Sequence, residues 1–226
     1  MNNDFLLFHK PFISEDEVDE IVDTVRSGWL SMGPKTIRFE NKYSEYIGVQ
    51  NSIAVSSWTA AGHLTLEAFG IKAGDEVIVP TMTFPATAEI VCYFGAKPVI
   101  VDVEKDTLNM SPEIIEKAIT SKTKAIIPVH YAGQPCDLDE IHDLARKHNL
   151  KVLEDAAHAL PATYKGVKIG SLSDVTCFSF YATKTLSTGE GGMICTNDEE
   201  IAERCKIMRL HGINRDAWKR YTDSGS

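Results

Sequence analysis

The stretch that decides the fold is EVIVPTMTFPATAEIVCYFGAKPVIVDV, residues 76–103. An apolar run, EVIVP (76–80), precedes a helix-like segment around residues 84–94, and a second apolar run, KPVIVDV (97–103), follows it. The runs are apolar at successive positions rather than at every second one, which is what a strand covered on both faces requires. Strand, helix, strand at this spacing is the repeating unit of a parallel sheet with crossover helices.

The same rhythm extends outward in both directions. SIAVSS (52–57) leads into a helical pattern carrying Leu64 and Ala68. Ser111-Pro112 opens a helix, AIIPVH (125–130) reads as a strand, and Asp137 starts a helix with Leu138, Ile141, Leu144 and Ala145 on its inner face. KVLEDA (151–156), VTCFSF (175–180) and GMICT (192–196) read as further strands, and a last helix turns Ile201, Cys205 and Met208 inward. Near the start, Ser14 and Glu17 form a capping box ahead of an amphipathic helix with Val18, Ile21, Val22 and Val25 on one face, ending near Ser27-Gly28. The pattern predicts an α/β three-layer sandwich around a mostly parallel central sheet. It stops after His211-Gly212, and DAWKRYTDSGS (216–226) has no partner element.

Composition narrows the function classes. The chain has 226 residues, 43% hydrophobic and 24% charged, with a net charge of −9. That length supports a large core without disulfides or metal, and the acidic balance argues against a broad nucleic-acid-binding surface. The five cysteines are scattered and without a CxxC pair, as expected of reduced thiols in a cytoplasmic protein with no metal site. No apolar run reaches membrane-spanning length, and MNNDFLLFHK has neither the basic region nor the cleavage site of a signal peptide.

In an open α/β sheet, ligands bind beyond the carboxyl ends of the strands. Three features fall there. SSWTAAGH (56–63) runs from strand into helix, where free N–H groups and the Thr59 hydroxyl suit a phosphate; Ser57 or Thr59 equally fits a plain N-cap. Asp155 ends a buried strand beside His158, ready to pair with a protonated ring or to cap a helix. Lys184 lies among Ser, Thr and Gly in FSFYATKTLSTGEGG (178–192), as an amine nucleophile or as a surface charge. Phosphate cradle, buried carboxylate and amine together are the parts that hold pyridoxal phosphate. Phe84 fits either a ring-stacking position or the core. There is no GxGxxG after the first strand, no GxxxxGK[ST], no HExxH and no GxSxG.

EDAAHA (154–159), GSLSDVTCFSFYATKTLSTGEGGMICTND (170–198) and MRLHGINR (208–215) resemble the nucleotide-sugar aminotransferase family of the DegT/DnrJ/StrS type. PTMTFPATAEIV (80–91), VDVEKDTLNM (101–110) and VHYAGQP (129–135) match earlier segments in order. The resemblance implies the aspartate-aminotransferase-like large domain with pyridoxal phosphate as cofactor. It makes Lys184 the Schiff-base and catalytic lysine and Asp155 the partner of the pyridine nitrogen. Ser179 and Thr59 become phosphate-binding hydroxyls, Ala60 a phosphate-binding N–H, Phe84 the stacking aromatic and His158 a neighbour of the phenolic oxygen. Trp58 stands where many members carry Gly. A lysine rather than a histidine at 184 implies transamination rather than sugar dehydration.

The reaction implied is amino transfer from glutamate to a keto sugar on a nucleotide, in a homodimer with no nucleic acid or membrane partner. The rival within the family is a non-catalytic or regulatory cofactor binder; a cysteine desulfurase or lyase of the same fold lacks the GEGG and HGINR segments. On this reading residues 1–30 form an arm and helix, 31–212 the cofactor domain, and 213–226 the start of a connection to a small C-terminal domain that is missing, which leaves turnover by a truncated fragment open.

Overall fold

A computed structural model describes residues 9–213. Helix α1 (Glu15–Ser27) opens with the predicted capping box: Ser14 N–H donates to the Glu17 carboxylate at 2.6 Å. Among the described residues nothing covers its apolar face, and Ile21 and Val25 are each 63% exposed. Helix α2 (Pro34–Ile47), not anticipated from the sequence pattern, starts on Gly33-Pro34 and ends on a left-handed Gly48.

The alternating body follows: β1 (Asn51–Val55), α3 (Trp58–Ala68), β2 (Glu76–Pro80), α4 (Ala86–Cys92), β3 (Lys97–Val101), α5 (Pro112–Ala118), β4 (Thr123–Ile126), α6 (Leu138–His148) and β5 (Lys151–Asp155). A small unforeseen hairpin, β6 (Thr163–Tyr164) and β7 (Val167–Lys168), precedes β8 (Val175–Ser179), β9 (Gly192–Thr196) and α7 (Glu199–Met208). Strand β4 stops short of the predicted 125–130 run. Pro128 interrupts the ladder, although Ile127 N–H still reaches Ile78 C=O at 2.8 Å. DAWKRYTDSGS lies outside the described residues.

Seven strands form one sheet in the order β1-β9-β8-β5-β4-β2-β3. All neighbouring pairs are parallel except those of β9, which runs antiparallel to both β1 and β8. The fold is therefore the expected three-layer sandwich with a mostly parallel sheet. Successive strand residues feed opposite faces. Ile78, Ile126, Val152 and Phe178 join a core with Tyr43 and Ile47 of α2, Ile115 of α5, and Leu138 and Ile141 of α6. Val77, Val79, Ala125, Leu153 and Cys177 join the opposite core with Leu66 of α3, Ile90 of α4 and Ile201 of α7. Met208, predicted inward, is only half-buried at the end of α7. Because both faces are filled, β2 and β9 are buried at every position and read as unbroken apolar runs. KPVIVDV, expected to be covered on both faces, is instead the end strand β3, which ends at Val101 and leaves Ile100 62% exposed.

Candidate active site

The parallel strands end along one edge of the sheet, and the predicted residues gather there. Asp155 is the last residue of β5 and is 4% exposed. Its Oδ2 accepts from Thr87 Oγ1 at 2.8 Å and its Oδ1 from the Ala157 N–H at 3.1 Å. Thr87, fully buried on α4, in turn lies 2.6 Å from Thr83 Oγ1. As Thr87 spends its proton on the carboxylate, Thr83 donates to it, so two hydroxyls in series fix the plane of Asp155. Burial pushes the Asp155 carboxyl up to about 6; Thr87, Ala157, His130 and Lys184 each pull it back.

Lys184 stands in the loop between β8 and β9, half-buried, with its own N–H on Tyr181 C=O at 2.9 Å. Burial lowers the amine below the ordinary lysine range, and the Asp155 charge opposes that shift. The carboxylate ends β5 and the amine follows β8, the strand paired with β5, and the charge of each acts on the other. His158, exposed on one side, is lowered first by partial burial and then by Lys184.

The head of α3 forms the second wall. Ser57 is its N-cap, and the Ser57 hydroxyl accepts from the Ala60 N–H at 3.0 Å. Of the two N-cap candidates it is therefore Ser57, and a phosphate at Ala60 would share that N–H with the cap. Thr59 lies in the first turn, where the backbone N–H groups have no intrahelical acceptor. Trp58 turns inward, 7% exposed, and its indole N–H donates to Cys177 C=O at 3.1 Å. Glycine at 62 leaves room for Ile90 of α4 beside this ring: a Cβ there would stand 2.6 Å from Ile90 and 3.4 Å from the indole. Gly192 matters in the same way, since a Cβ on it would lie 2.6 Å from Ser57 C=O. The loop around Lys184 and the head of α3 meet backbone to backbone at that point.

Ser179 closes β8, with its hydroxyl accepting from Tyr181 N–H at 3.3 Å. Phe84 is 78% exposed between β2 and α4. The core alternative for it does not hold, and its ring is free to cover a flat ligand. Three residues of the neighbourhood escaped sequence reasoning. Thr87 is one. The others are Glu154 and His130, both fully buried, with Nε2 of His130 and Glu154 Oε2 2.7 Å apart. Cys136 N–H donates to His130 Nδ1 at 3.1 Å, which leaves the ring proton on Nε2, facing Glu154. Thr176 Oγ1 donates to the other carboxylate oxygen at 3.0 Å. Burial alone would raise Glu154, but the His130 and Thr176 hydrogen bonds bring it below its ordinary range.

An amine of lowered pKa, a buried carboxylate, hydroxyls at a helix head and an exposed aromatic suit a ring that carries a basic nitrogen, an aldehyde and a phosphate. The donor set fits pyridoxal phosphate.

A family model described as the DegT/DnrJ/EryC1/StrS aminotransferase family matches residues 11–225. The chain is similar to the protein MJ1066 of Methanocaldococcus jannaschii, 56% identical over 222 residues, covering 98% of this chain and 58% of that protein. It is 49% identical over 224 residues to the spore coat polysaccharide biosynthesis protein SpsC of Bacillus subtilis, covering 99% of this chain and 58% of that protein. Among solved structures it resembles Spr1654 from Streptococcus pneumoniae in its PMP form, at 40% identity and a TM-score of 0.90, covering 94% of this chain and 59% of that one. The same protein in its PLP form superposes with a TM-score of 0.88 at 39% identity, covering 92% of this chain and 58% of that one. The chain thus spans under two thirds of the length of these relatives. Among the described residues no helix is long and apolar enough to cross a membrane.

Proposed function

This chain belongs to the DegT/DnrJ/EryC1/StrS aminotransferase family, and on that premise we propose that it is the cofactor-binding part of a transaminase. The amino group would pass from glutamate to a keto sugar carried on a nucleotide. The observation that carries the proposal is the buried Asp155 carboxylate at the end of β5, held by Thr87 and the Ala157 N–H, with Lys184 and its lowered amine in the loop that follows the neighbouring strand β8. The polysaccharide role in the name of SpsC supports a sugar acceptor, because polysaccharides are assembled from nucleotide-activated sugars.

Pyridoxal phosphate, when bound, supplies an electron sink for the carbon that loses or gains the proton. The protein's part is positional and acid–base. Asp155, held flat by Thr87 and Ala157, would face the protonated ring nitrogen; a cation there brings the carboxyl below about 6 and keeps it ionised at neutral pH. Lys184 Nζ, lowered by burial, would hold the cofactor's aldehyde carbon by condensing with it and expelling water, and as a free amine would serve as the base and acid that moves the substrate proton. Thr59, Ser179 and the N–H groups at the head of α3, Ala60 included, would hold the phosphate. Phe84 would cover one ring face, and His158 would stand near the phenolic oxygen.

Residues 31–212 are assigned to the cofactor domain, 1–30 to the arm and helix, and 213–226 to the connection onward. The uncovered face of α1, with Val18, Ile21, Val22 and Val25 exposed, supports a homodimer. Four free and buried cysteines support a reducing, cytoplasmic setting.

The test is direct. The chain mixed with pyridoxal phosphate develops the visible band of lysine-bound cofactor, and glutamate bleaches it; Lys184→Ala shows no band. A band that survives Lys184→Ala refutes the assignment. A band that glutamate cannot bleach, in a protein of full family length, favours the cofactor-binding rival without turnover.

A further inference from the structure

Among the described residues strand β1 pairs with β9 along one edge and with no strand along the other. At Ala54 that edge is filled by two side chains. Glu40 Oε1, from α2, accepts from Ala54 N–H at 2.8 Å. Arg209 Nη1, at the end of α7, donates to Ala54 C=O at 3.0 Å. The carboxylate and guanidinium also hydrogen-bond each other. Acid and base together thus copy what one residue of a neighbouring strand would offer, an acceptor and a donor side by side. The pair is largely buried, with side chains 12% and 9% exposed, so its hydrogen bonds are poorly screened.

The position of this bracket gives it a purpose beyond covering an edge. Ala54 is two residues before Ser56, where β1 gives way to Ser57, Trp58 and Thr59 at the head of α3. Farther back on the same edge the contacts are different in kind. Ser44 meets Ser52 hydroxyl to hydroxyl at 2.9 Å, and Lys206 reaches the Asn51 side chain at 3.1 Å. Among the described residues, Ala54 is the one position on this edge whose N–H and C=O are both gripped by side chains.

We propose that Glu40 and Arg209 are positioning residues for the cofactor phosphate: clamped on Ala54, they set where β1 ends and hence where the N–H groups and the Thr59 hydroxyl point. The inference rests on the proposed cofactor function and adds two residues that never touch the cofactor. Its mark is selectivity. Loosening the clamp weakens the grip on phosphate, while the ring contacts through Asp155 on β5 and Lys184 in the β8–β9 loop stay as they were.

The experiment compares pyridoxal phosphate with pyridoxal, which lacks the phosphate, on the full 226-residue chain and on Glu40→Leu, Glu40→Gln and Arg209→Lys. Affinity is read from the visible band, and Ala54 amide exchange is read on the cofactor-free proteins. Loss of a buried charge-assisted hydrogen bond predicts pyridoxal phosphate binding about tenfold weaker in Glu40→Leu. Pyridoxal affinity should stay within about twofold, and Ala54 should exchange faster. Glu40→Gln, which keeps an acceptor, falls between; Glu40→Gln and Arg209→Lys decide the matter if Glu40→Leu does not fold. Equal weakening of both ligands, or no weakening of either, overturns the positioning role while leaving the cofactor assignment intact. A wild-type chain that forms no band with either ligand overturns both.

Discussion

Asp155→Asn should make the cofactor-free chain more stable at neutral pH and spoil its cofactor binding. The carboxyl lies in the sheet interior, where burial raises it from an ordinary 3.8 to about 6. A group whose folded value is raised contributes stability below its unfolded value and loses it as pH rises through the folded one. Here the loss runs between about pH 4 and pH 6. A rise of that size corresponds to about 3 kcal/mol in the apo protein above that window. Asparagine keeps the shape, still accepts from Ala157 N–H, and can donate to Thr87 once the Thr87 and Thr83 hydroxyls turn round, but carries no charge to bury. Urea denaturation from pH 4 to pH 8, without cofactor, should show wild type and variant nearly equal at pH 4. The variant should pull ahead by up to about 3 kcal/mol at pH 8. A difference that does not vary with pH, or a variant less stable at pH 8, would refute the reasoning. The same variant should bind pyridoxal phosphate more weakly, because a neutral amide cannot balance a protonated ring nitrogen.

Gly192→Ala places a methyl 2.6 Å from Ser57 C=O, with backbone on both sides, so it should cost about 2 kcal/mol in chemical denaturation. It should also weaken pyridoxal phosphate binding, by pushing the head of α3 away. Ser57→Ala removes the cap that holds Ala60 N–H and should cost about 1 kcal/mol in the same assay; a variant as stable as wild type would show that the cap is replaced.

The sequence discloses those parts of the fold that depend on local pattern. Runs such as EVIVP and GMICT announce strands because every position is buried. Helix α2 escaped because its inward face is Glu40, Tyr43 and Ile47, and a charge at an inward position hides the period. Gly33-Pro34 and Gly48 are punctuation that would have bounded it. The hairpin of β6 and β7 has two residues per strand, too few for any alternation to register. Strand order, including the reversed β9, is settled by packing between distant elements and leaves no local trace. The site divides in the same way. Asp155 and Lys184 are legible as chemistry at strand ends, whereas Thr87 becomes part of it only because α4 lies against β5, 68 residues along the chain. Glu154 and His130 depend on a comparable juxtaposition, 24 residues apart. For Phe84, only the folded surface decides between core and cleft.

The reversed strand β9 also has a consequence in time. Strand β1 is the first of the sheet to be synthesised, yet its partner β9 comes far later: Ser52 faces Cys195, 143 residues farther on. At translation speeds of ~5–20 residues per second, on the order of ten seconds pass before the two can meet. Through that interval the edge of β1 that β9 will cover is unpaired, while β2 and β3 can already zip together. A nascent chain stalled between residues 60 and 190 should therefore be the form that chaperones hold and that aggregates when they are scarce.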